Sequence, residues 1–164
     1  GGCASVLDFE GGRGRVLYCP AFGKTGCRRG TPGQYVVSDP KGRAIMIAAI
    51  EKRKLVYVLN RDSSGKPTIA SPLEAHRSRT ITFALCGVDN GYDNPIFAAL
   101  ETQYADPESE GNGDESDGKK ELAYYELDLG LNHVSRRWAS RAVHKSACCL
   151  GAVPGGGDGP GGVL

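Results

Sequence analysis

Residues 22–61 of this chain read FGKTGCRRGTPGQYVVSDPKGRAIMIAAIEKRKLVYVLNR, and this stretch decides the fold. Two apolar runs, 44–50 and 55–59, flank the charged residues 51–54, which is the pattern of a hairpin with a polar turn. An amphipathic helix fits the same composition, because short apolar runs do not settle the periodicity. The ending Leu-Val-Tyr-Val-Leu is rich in residues that favour strands, so we predict two strands here.

Short strands and polar turns continue on both sides of this stretch. The turn at 38–42 combines Asp, Pro and Gly, and a second turn carries Asn90-Gly91. The predicted strands are 6–9, 15–18, 34–37, 44–50, 55–59, 81–88, 96–104, 121–128 and 133–143, with a last apolar run at 147–153. No helix is needed. The pattern predicts an all-β, antiparallel fold, and it leaves sandwich, barrel and propeller open.

Charge is unevenly distributed along the 164 residues, although the formal net charge is only +1. The run 106–118 contains six acidic residues and no basic one, which leaves 13 acidic against 20 basic residues elsewhere. Since the run lacks apolar residues, we predict a disordered insertion there. The basic remainder is compatible with a ribonucleoprotein setting. Glycines cluster at both ends of the chain, where we predict loops or frayed segments.

Several classes of protein do not fit the sequence. The longest apolar run has seven residues, whereas a membrane span needs about 20, so we expect no membrane segment. No secretory signal is visible. The cysteines at 3, 19, 27, 86, 148 and 149 and the histidines at 76, 133 and 144 lack the close pairs of a zinc site. We therefore expect free thiols in a reducing compartment, and no metal.

No motif for catalysis or cofactor binding is complete in this sequence. Gly23-Lys24-Thr25 resembles the end of a phosphate-binding loop, but Tyr18 stands where that motif needs glycine. Glu74 and His76 could form an acid–base pair, but no nucleophile accompanies them, so we expect a turn with a hydrogen-bonded histidine. Trp138 is expected to be packed. We predict no enzyme, no cofactor and no small-molecule substrate.

Two basic clusters are the candidate contact sites. Phosphates or acidic partners could be bound by Arg28, Arg29, Lys52, Arg53 and Lys54. The alternative is that these side chains are solvated residues in turns. No alternation of aromatic and basic residues marks an RNA-stacking sheet, so RNA contact would be weak or indirect.

Three blocks of sequence carry a resemblance to a known family. They are FGKTGCRR (22–29) with PGQY (32–35) and DPKGR (39–43); KLVYVLNR (54–61) with SPLEAH (71–76); and YELDLGLNHV (125–134) with VPGGGDGP (153–160). In order and spacing they are similar to the N-terminal β-propeller of the splicing factor 3b subunit 3 family. Large subunits of the damage-specific DNA-binding protein and of the cleavage and polyadenylation specificity factor share its superfamily.

The resemblance implies a partial, WD40-like β-propeller of about three blades, without a closed ring. It implies a non-enzymatic scaffold that acts in the nucleus, with the other splicing factor 3b subunits as partners, in branch-site recognition and spliceosome assembly. The alternatives are a nucleic-acid-binding module and a ubiquitin-ligase adaptor. No membrane is involved.

The resemblance also suggests a division of the chain. We expect a loosely matched N-terminal segment (1–21), propeller blades (22–105), the acidic insertion (106–119), a continued blade (120–153) and a glycine-rich loop (154–164). Val163-Leu164 would begin a strand that is cut off. The segment 141–150 departs from the expected pattern, which leaves its local contacts open.

Overall fold

The computed structural model describes residues 2–3, 5–19, 21–22, 35–104, 118–140 and 143–164. Its strands are β1 (Gly2–Cys3), β2 (Val6–Glu10), β3 (Arg13–Tyr18), β4 (Ala21–Phe22), β5 (Tyr35–Ser38), β6 (Ala44–Ala48), β7 (Lys54–Arg61), β8 (Pro67–Ile69), β9 (Leu73–Glu74), β10 (Thr80–Val88), β11 (Ile96–Gln103), β12 (Lys120–Asp128) and β13 (His133–Ser140). One turn of 3-10 helix, Gly156–Asp158, is the sole helical element in these ranges. The all-β prediction is confirmed, and the helix alternative for 44–59 is wrong.

The first sheet is built on the predicted hairpin. β6 and β7 pair antiparallel around the turn, with Ile45 opposite Tyr57, and β5 lies on the other side of β6. The fourth position is divided between two short strands, because β9 pairs with the beginning of β7 and β8 with its end. This sheet therefore has the four-strand width of a propeller blade.

The second sheet is a four-stranded meander in the order β10-β11-β12-β13. A bulge interrupts the pairing of β10 with β11 between Thr82 and Ala84, and another interrupts β12 and β13 beside Tyr124 and Tyr125. Bulges increase the local twist of a sheet. All pairings in both sheets are antiparallel, and no sheet closes on itself in the described ranges.

Two small pairs precede these sheets. β2 and β3 form a hairpin, which confirms the strands predicted at 6–9 and 15–18, and β1 pairs with β4. The acidic run is not part of this description, because residues 105–117 lie outside the described ranges. No helix in the described part is long and apolar enough to cross a membrane.

The main core lies between the two sheets. Strands alternate their side chains between faces, so every second residue of β6, β7, β11 and β12 points into it. Its buried members are Ala44, Met46, Ala48, Val56, Val58, Leu85, Phe97, Ala99, Ala123, Tyr125, Leu127 and Val134. Burying a side chain as large as Met or Phe contributes about 1.5–3 kcal/mol, so this contact is the main source of stability.

The sheets approach most closely where β10 passes β5. A Cβ added at Gly87 would lie 2.2 Å from the carbonyl oxygen of Ser38, which is well inside van der Waals contact. Only glycine fits at this position without a shift of backbone. The first strands of the two sheets are therefore adjacent, as the inner strands of neighbouring blades would be.

The glycine-rich segment at the C-terminal end is ordered by contacts with the rest of the chain. Gly155 donates its backbone N–H to Asp89 Oδ2 at 2.9 Å, and Gly162 forms a β-bridge with Asp89. Added Cβ atoms at Gly155 and Gly161 would lie 2.5 and 2.4 Å from the carbonyl oxygen of Asp89. The prediction of a loop is right, but a frayed end is not what the structure shows. Val163 pairs with Ala152 in an isolated bridge.

The same segment covers the outer face of the second sheet. A second apolar cluster there contains Val88, Ile96 and Ala98, and Leu150 and Val163 pack against it. The second sheet is thus covered on both faces, by the first sheet on one side and by residues 150–163 on the other.

Candidate functional site

Three connections between strands, β6–β7, β9–β10 and β11–β12, meet at one end of the two sheets, which we call the basic end (residues 49–54, 75–81, 102–104 and 118–121). Backbone hydrogen bonds join the first two of them: Lys52 N–H to Thr80 O at 2.9 Å, and Arg77 N–H to Lys52 O at 3.0 Å. The N–H of Tyr104 bonds to Arg79 O at 3.0 Å, and that of Gly118 to Gln103 O at 3.2 Å. The basic end is therefore one continuous surface across both sheets.

The side chains of Lys52, Arg53, Arg79 and Lys119 are exposed at this end. Lys52 and Arg79 have φ angles of 63° and 53°, in the left-handed region that ordinary side chains avoid. Such a conformation costs about 1–2 kcal/mol per residue. Both turns therefore keep an exposed cation at a position where glycine or asparagine would be less strained.

Two exposed carboxylates in or next to the described part of the basic end, Glu51 and Glu74, contact neighbouring side chains. Glu51 accepts a short hydrogen bond from the hydroxyl of Tyr104. Glu74 lies 3.8 Å from His76 Nε2, and Nδ1 of the same ring accepts the backbone N–H of Lys54 at 3.0 Å. The expectation of a hydrogen-bonded histidine is confirmed, but that of a turn is not, because Glu74 ends strand β9 and the turn lies at residues 78–79. This arrangement gives His76 a structural role.

Lys54 lies apart from the other predicted contact residues, because it is in the interior. It is the first residue of β7 and shares the core-facing side of that strand with Val56 and Val58. Its side chain is fully buried, and Nζ lies 2.5 Å from Glu101 Oε1. The contact is an ion pair without regular hydrogen-bond geometry, since Lys54 Nζ has no hydrogen-bond partner among the described residues. Lys54 therefore shares no surface with Lys52 and Arg53.

Glu101 is the centre of a buried polar cluster between the sheets. The hydroxyl of Tyr125 donates to its carboxylate, at 2.9 Å from Oε2, and Lys54 Nζ lies 5.5 Å from the centre of the Tyr125 ring. Burial and the neighbouring Glu101 charge raise the pKa of Tyr125 above its usual range. The hydroxyl thus keeps its proton and remains a donor. Two partners compensate the buried carboxylate, which would otherwise be strongly unfavourable.

Arginines extend this cluster towards the surface. Arg77 Nη1 lies 2.5 Å from Glu121 Oε1 and 3.6 Å from Glu101 Oε2, and Arg136 Nη2 lies 2.7 Å from the same oxygen of Glu121. Partial burial alone would lower the pKa of Arg77, but the hydrogen bond to Glu121 and the charges of Glu121, Tyr125 and Glu101 together outweigh it and raise the pKa above the usual range. The guanidinium of Arg77 thus links the interior to the basic end.

The opposite end of the sheets (residues 38–44, 61–67, 88–96 and 128–133) has a different character. Buried Asp39 binds Arg43 through two contacts, Nε to Oδ2 at 2.8 Å and Nη2 to Oδ1 at 2.9 Å. Burial alone would raise the pKa of Asp39, but its hydrogen bonds and the charge of Arg43 outweigh it and hold the pKa below the usual range. Arg43 also donates to the carbonyl of Asp93, which ties the two sheets together.

Large apolar side chains are exposed at the opposite end, whereas in the described part of the basic end none is exposed. Tyr92, Leu129 and Leu131 are 63%, 38% and 78% exposed on the loops of the opposite end. On β13, Trp138 is 49% exposed, with its ring edge-on to Tyr124 at 6.4 Å. The expectation of a packed tryptophan is therefore wrong, because β13 is the edge strand and leaves one side of the ring uncovered.

The sequence identified only part of this surface. It indicated Lys52 and Arg53 but missed Arg77, Arg79 and Lys119, which lie far from 52–53 in the sequence and are brought near them by the fold. The predicted strand began at residue 55. Had it begun at Lys54, the alternation of side chains along the strand would have placed Lys54 on the same face as the apolar Val56 and Val58. Arg28 and Arg29 lie outside the described residues. Among the described residues, no group of three or more His, Cys, Asp or Glu side chains could hold a metal ion.

Comparison with known proteins agrees with this architecture. The family model for the RSE1/DDB1/CPSF1 first beta-propeller matches residues 5–164. Spliceosome-associated protein 130 A of Arabidopsis thaliana is 62% identical over 144 residues, which cover 87% of this chain and 12% of that protein.

Two further relatives carry similar names. Splicing factor 3B subunit 3 of Drosophila melanogaster is 54% identical over 162 residues, 97% of this chain and 13% of the relative. Pre-mRNA-splicing factor prp12 of Schizosaccharomyces pombe is 50% identical over 166 residues, 99% of this chain and 14% of the relative. The chain therefore spans only about an eighth of the length of the relatives that it matches.

Proposed function

We propose a function for this chain from the premise that it belongs to the RSE1/DDB1/CPSF1 first β-propeller family: it is a scaffold element in pre-mRNA splicing. The observation that carries the proposal is the identity of 50–62%, over most of this chain, to proteins named as a spliceosome-associated protein and as pre-mRNA splicing factors. The partial propeller of antiparallel sheets supports it, because that fold presents loops and strand edges to partners.

The described residues support a role without catalysis. The buried carboxylates of Asp39 and Glu101 are paired with the basic side chains of Arg43 and Lys54. The Lys54–Glu101 pair joins the two sheets, and the Asp39–Arg43 pair closes the turn between β5 and β6, so both pairs stabilise the fold.

The partners that we propose are the other subunits of the splicing factor 3b complex, in the nucleus, during branch-site recognition and spliceosome assembly. The names of the relatives support this choice over a ubiquitin-ligase adaptor. Arg28, Arg29, Lys52 and Arg53 remain proposed contact residues. Lys54 is withdrawn from that set because its side chain is buried.

The division of the chain is also part of the proposal. Residues 22–105 and 120–153 would be propeller blades, interrupted by the acidic insertion at 106–119 and followed by the glycine-rich loop at 154–164. The two sheets support blades in both regions, since each spans four strand positions. The segment 1–21 would precede the blades.

Affinity purification of the full-length protein from nuclear extract, with mass spectrometry of the recovered proteins, tests the proposed function. We expect recovery of the subunits that engage the intron branch site. Recovery of a cullin ligase or of polyadenylation factors in their place would keep the propeller and overturn the splicing role. A matched purification with the Arg28, Arg29, Lys52 and Arg53 side chains neutralised tests the contact residues separately.

A further inference from the structure

We infer that the opposite end of the second sheet is a docking surface for a basic, apolar segment of a protein partner. Its centre is formed by Tyr92, Leu129 and Leu131, which we call the tyrosine–leucine patch. The inference rests on the proposed scaffold role and deepens it, because it names a site and the chemistry of the segment that binds there. Three features carry it: the exposed apolar side chains, the hydrogen bonds that hold their loops, and the excess of carboxylates around them.

The patch lies on two adjacent connections of the second sheet. Tyr92 is 63% exposed in the β10–β11 connection, and Leu129 and Leu131 are 38% and 78% exposed in the β12–β13 connection. The two connections touch, because Leu129 donates its backbone N–H to Asn94 Oδ1 at 3.3 Å. Large apolar side chains that are exposed together in this way mark surfaces at which proteins interact.

Hydrogen bonds fix the loops that carry the patch. Asn90 Oδ1 accepts the backbone N–H of Tyr92 at 2.8 Å, and Asp128 Oδ1 accepts that of Leu131 at 2.8 Å. The first sheet adds a further contact, because Lys41 Nζ donates to the carbonyl oxygen of Tyr92 at 3.4 Å. A partner therefore binds without first ordering these loops, which lowers the entropic cost of association.

Carboxylates outnumber cations around the patch. The structure describes without a gap each of the connections that meet there: 38–43, 88–95, 128–133 and 154–161. They contain five aspartates, two cations and one histidine: Asp39, Asp89, Asp93, Asp128, Asp158, Lys41, Arg43 and His133. With the histidine neutral at pH 7, the formal charge of these connections is negative.

The two cations leave this negative charge largely intact. Arg43 is bound to Asp39, with Nε 2.8 Å from Oδ2 and Nη2 2.9 Å from Oδ1, so this pair is neutral as a unit. Lys41 is the single exposed cation in the four connections, whereas Asp93 and Asp158 both have exposed side chains. The surface around the patch therefore has a negative potential that attracts cations.

Other charged side chains near this end change the balance little. Glu126 pairs with Arg137, whose Nε lies 3.0 Å from Oε2. Arg61 and Lys66 lie in the β7–β8 connection, together with Asp62. That connection is on the far side of the first sheet, since β5 is the strand that lies beside the second sheet.

A basic protein segment fits this surface better than RNA or an acidic segment does. Tyrosine is enriched among the residues that provide most of the binding energy in protein interfaces. Apolar side chains of the partner would pack on the two leucines, and lysines or arginines beside them would meet the carboxylates. The same carboxylates would repel the phosphates of RNA. The segment that we infer is therefore amphipathic, with apolar residues flanked by basic ones.

The test measures the binding of two fluorescein-labelled peptides to the purified full-length protein by fluorescence anisotropy. The basic peptide is an amphipathic sequence of Leu, Ala and Lys, and the acidic peptide has Glu in place of every Lys. The patch variant carries Tyr92→Ser, Leu129→Ser and Leu131→Ser. The control variant loses three exposed apolar side chains of the β2–β3 hairpin, through Leu7→Thr, Phe9→Thr and Val16→Thr.

We expect the basic peptide to bind at least about tenfold more tightly than the acidic peptide, and the patch variant to lose this preference. The control variant should bind like the unmodified protein. In a variant with Asp93→Asn and Asp158→Asn, binding of the basic peptide should weaken about threefold and depend less on salt.

Several outcomes would overturn the inference. These are equal binding of the two peptides, no binding of either, and equal losses in the patch and control variants. Undiminished binding of the basic peptide by the patch variant would also overturn it, in favour of the acidic run at 106–118 as the site. Self-association of the unmodified protein that is lost in the patch variant, measured by sedimentation velocity, would assign the patch to a contact between two copies.

Circular dichroism of each variant separates lost binding from lost folding. Should the patch variant unfold, the single change Leu131→Ser provides the second test, with an expected loss of about threefold in affinity for the basic peptide. The titration uses no splicing subunit. Absence of peptide binding, with the branch-site subunits still recovered in the purification, would overturn this inference and leave the proposed function standing.

Discussion

The basic end and the interior beneath it use the same residue type for opposite purposes. Lys52 and Lys54 stand two residues apart, yet Lys52 is exposed in a turn with positive φ and Lys54 is buried against Glu101. The difference arises where the turn becomes a strand, because alternation along β7 directs Lys54 towards the core. A run of like charges is therefore not one functional unit, and its members must be assigned from their place in the local structure.

Removing one partner of the buried Lys54–Glu101 pair should have the largest effect on stability. In Glu101→Gln the Lys54 charge stays buried without a counter-charge, and we expect a loss of about 3–5 kcal/mol in the free energy of unfolding. Urea titration followed by circular dichroism measures it. A loss below about 1 kcal/mol would mean that water reaches Lys54 and that the interior differs little from the surface.

A matched variant tests whether the charges themselves are needed. The triple change Lys54→Met, Glu101→Leu and Tyr125→Phe replaces the polar cluster by apolar side chains of similar size. We expect it to recover most of the stability lost in Glu101→Gln, since well-packed apolar residues often substitute for a buried ion pair.

The next largest loss of stability is expected from a change at the contact between the two sheets. Gly87→Ala places a methyl group against the backbone carbonyl of Ser38, so we expect a loss of about 1–3 kcal/mol from overpacking. The control is Gly151→Ala, where an added Cβ meets nothing within 4 Å. The control should be neutral or slightly stabilising. Equal stability of the two variants in urea would contradict the close approach of β5 and β10.

At the opposite end, the pH dependence of stability tests the Asp39–Arg43 pair. The pKa of Asp39 is lower in the folded chain than in the unfolded chain, so its contribution to stability is present above the unfolded pKa of about 4 and lost as the pH falls through the folded value. Asp39→Asn should lose about 1 kcal/mol at neutral pH. It should also show a smaller decline of stability in acid than the unmodified chain. Parallel acid profiles would argue against the Asp39–Arg43 pair.

The smallest effect on stability is expected at Lys52, in contrast to the large effect expected at the Lys54–Glu101 pair. Lys52→Asn changes an exposed side chain and keeps a residue that accepts positive φ, so we expect stability within about 0.5 kcal/mol of the unmodified chain. Thermal unfolding by circular dichroism at several salt concentrations checks this. A large destabilisation would show that Lys52, like Lys54, is structural, and would weaken its assignment to a binding surface.

Much of the strand pattern could be predicted because it depends on local chemistry. The runs around residues 51–54 and the turn at 38–42 combine alternation, β-branched residues and turn formers, and both are present as predicted. The division of the fourth strand of the first sheet between β8 and β9 was not predicted. These strands are only three and two residues long, so they carry too little periodicity to be recognised.

The candidate site was predicted less completely. Lys52 and Arg53 were found because they are adjacent, whereas Arg79 and Lys119 join them only through hydrogen bonds between distant connections. Trp138 was expected to be a packed blade residue. Its exposure depends on the position of β13 at the edge of the sheet, which strand order decides and residue type does not.

By itself the sequence determined the all-β class, most strands and their turns, because these follow from short-range patterns. It also determined the family, because three blocks of residues match that family in order and spacing. Only the tertiary structure decided which charges are buried, which glycines are needed for close backbone contact, and which distant cations share a surface. Those properties depend on pairs of residues far apart in the chain, such as Lys54 with Glu101 and Gly155 with Asp89. The chain must fold before such pairs exist, so no local pattern can reveal them.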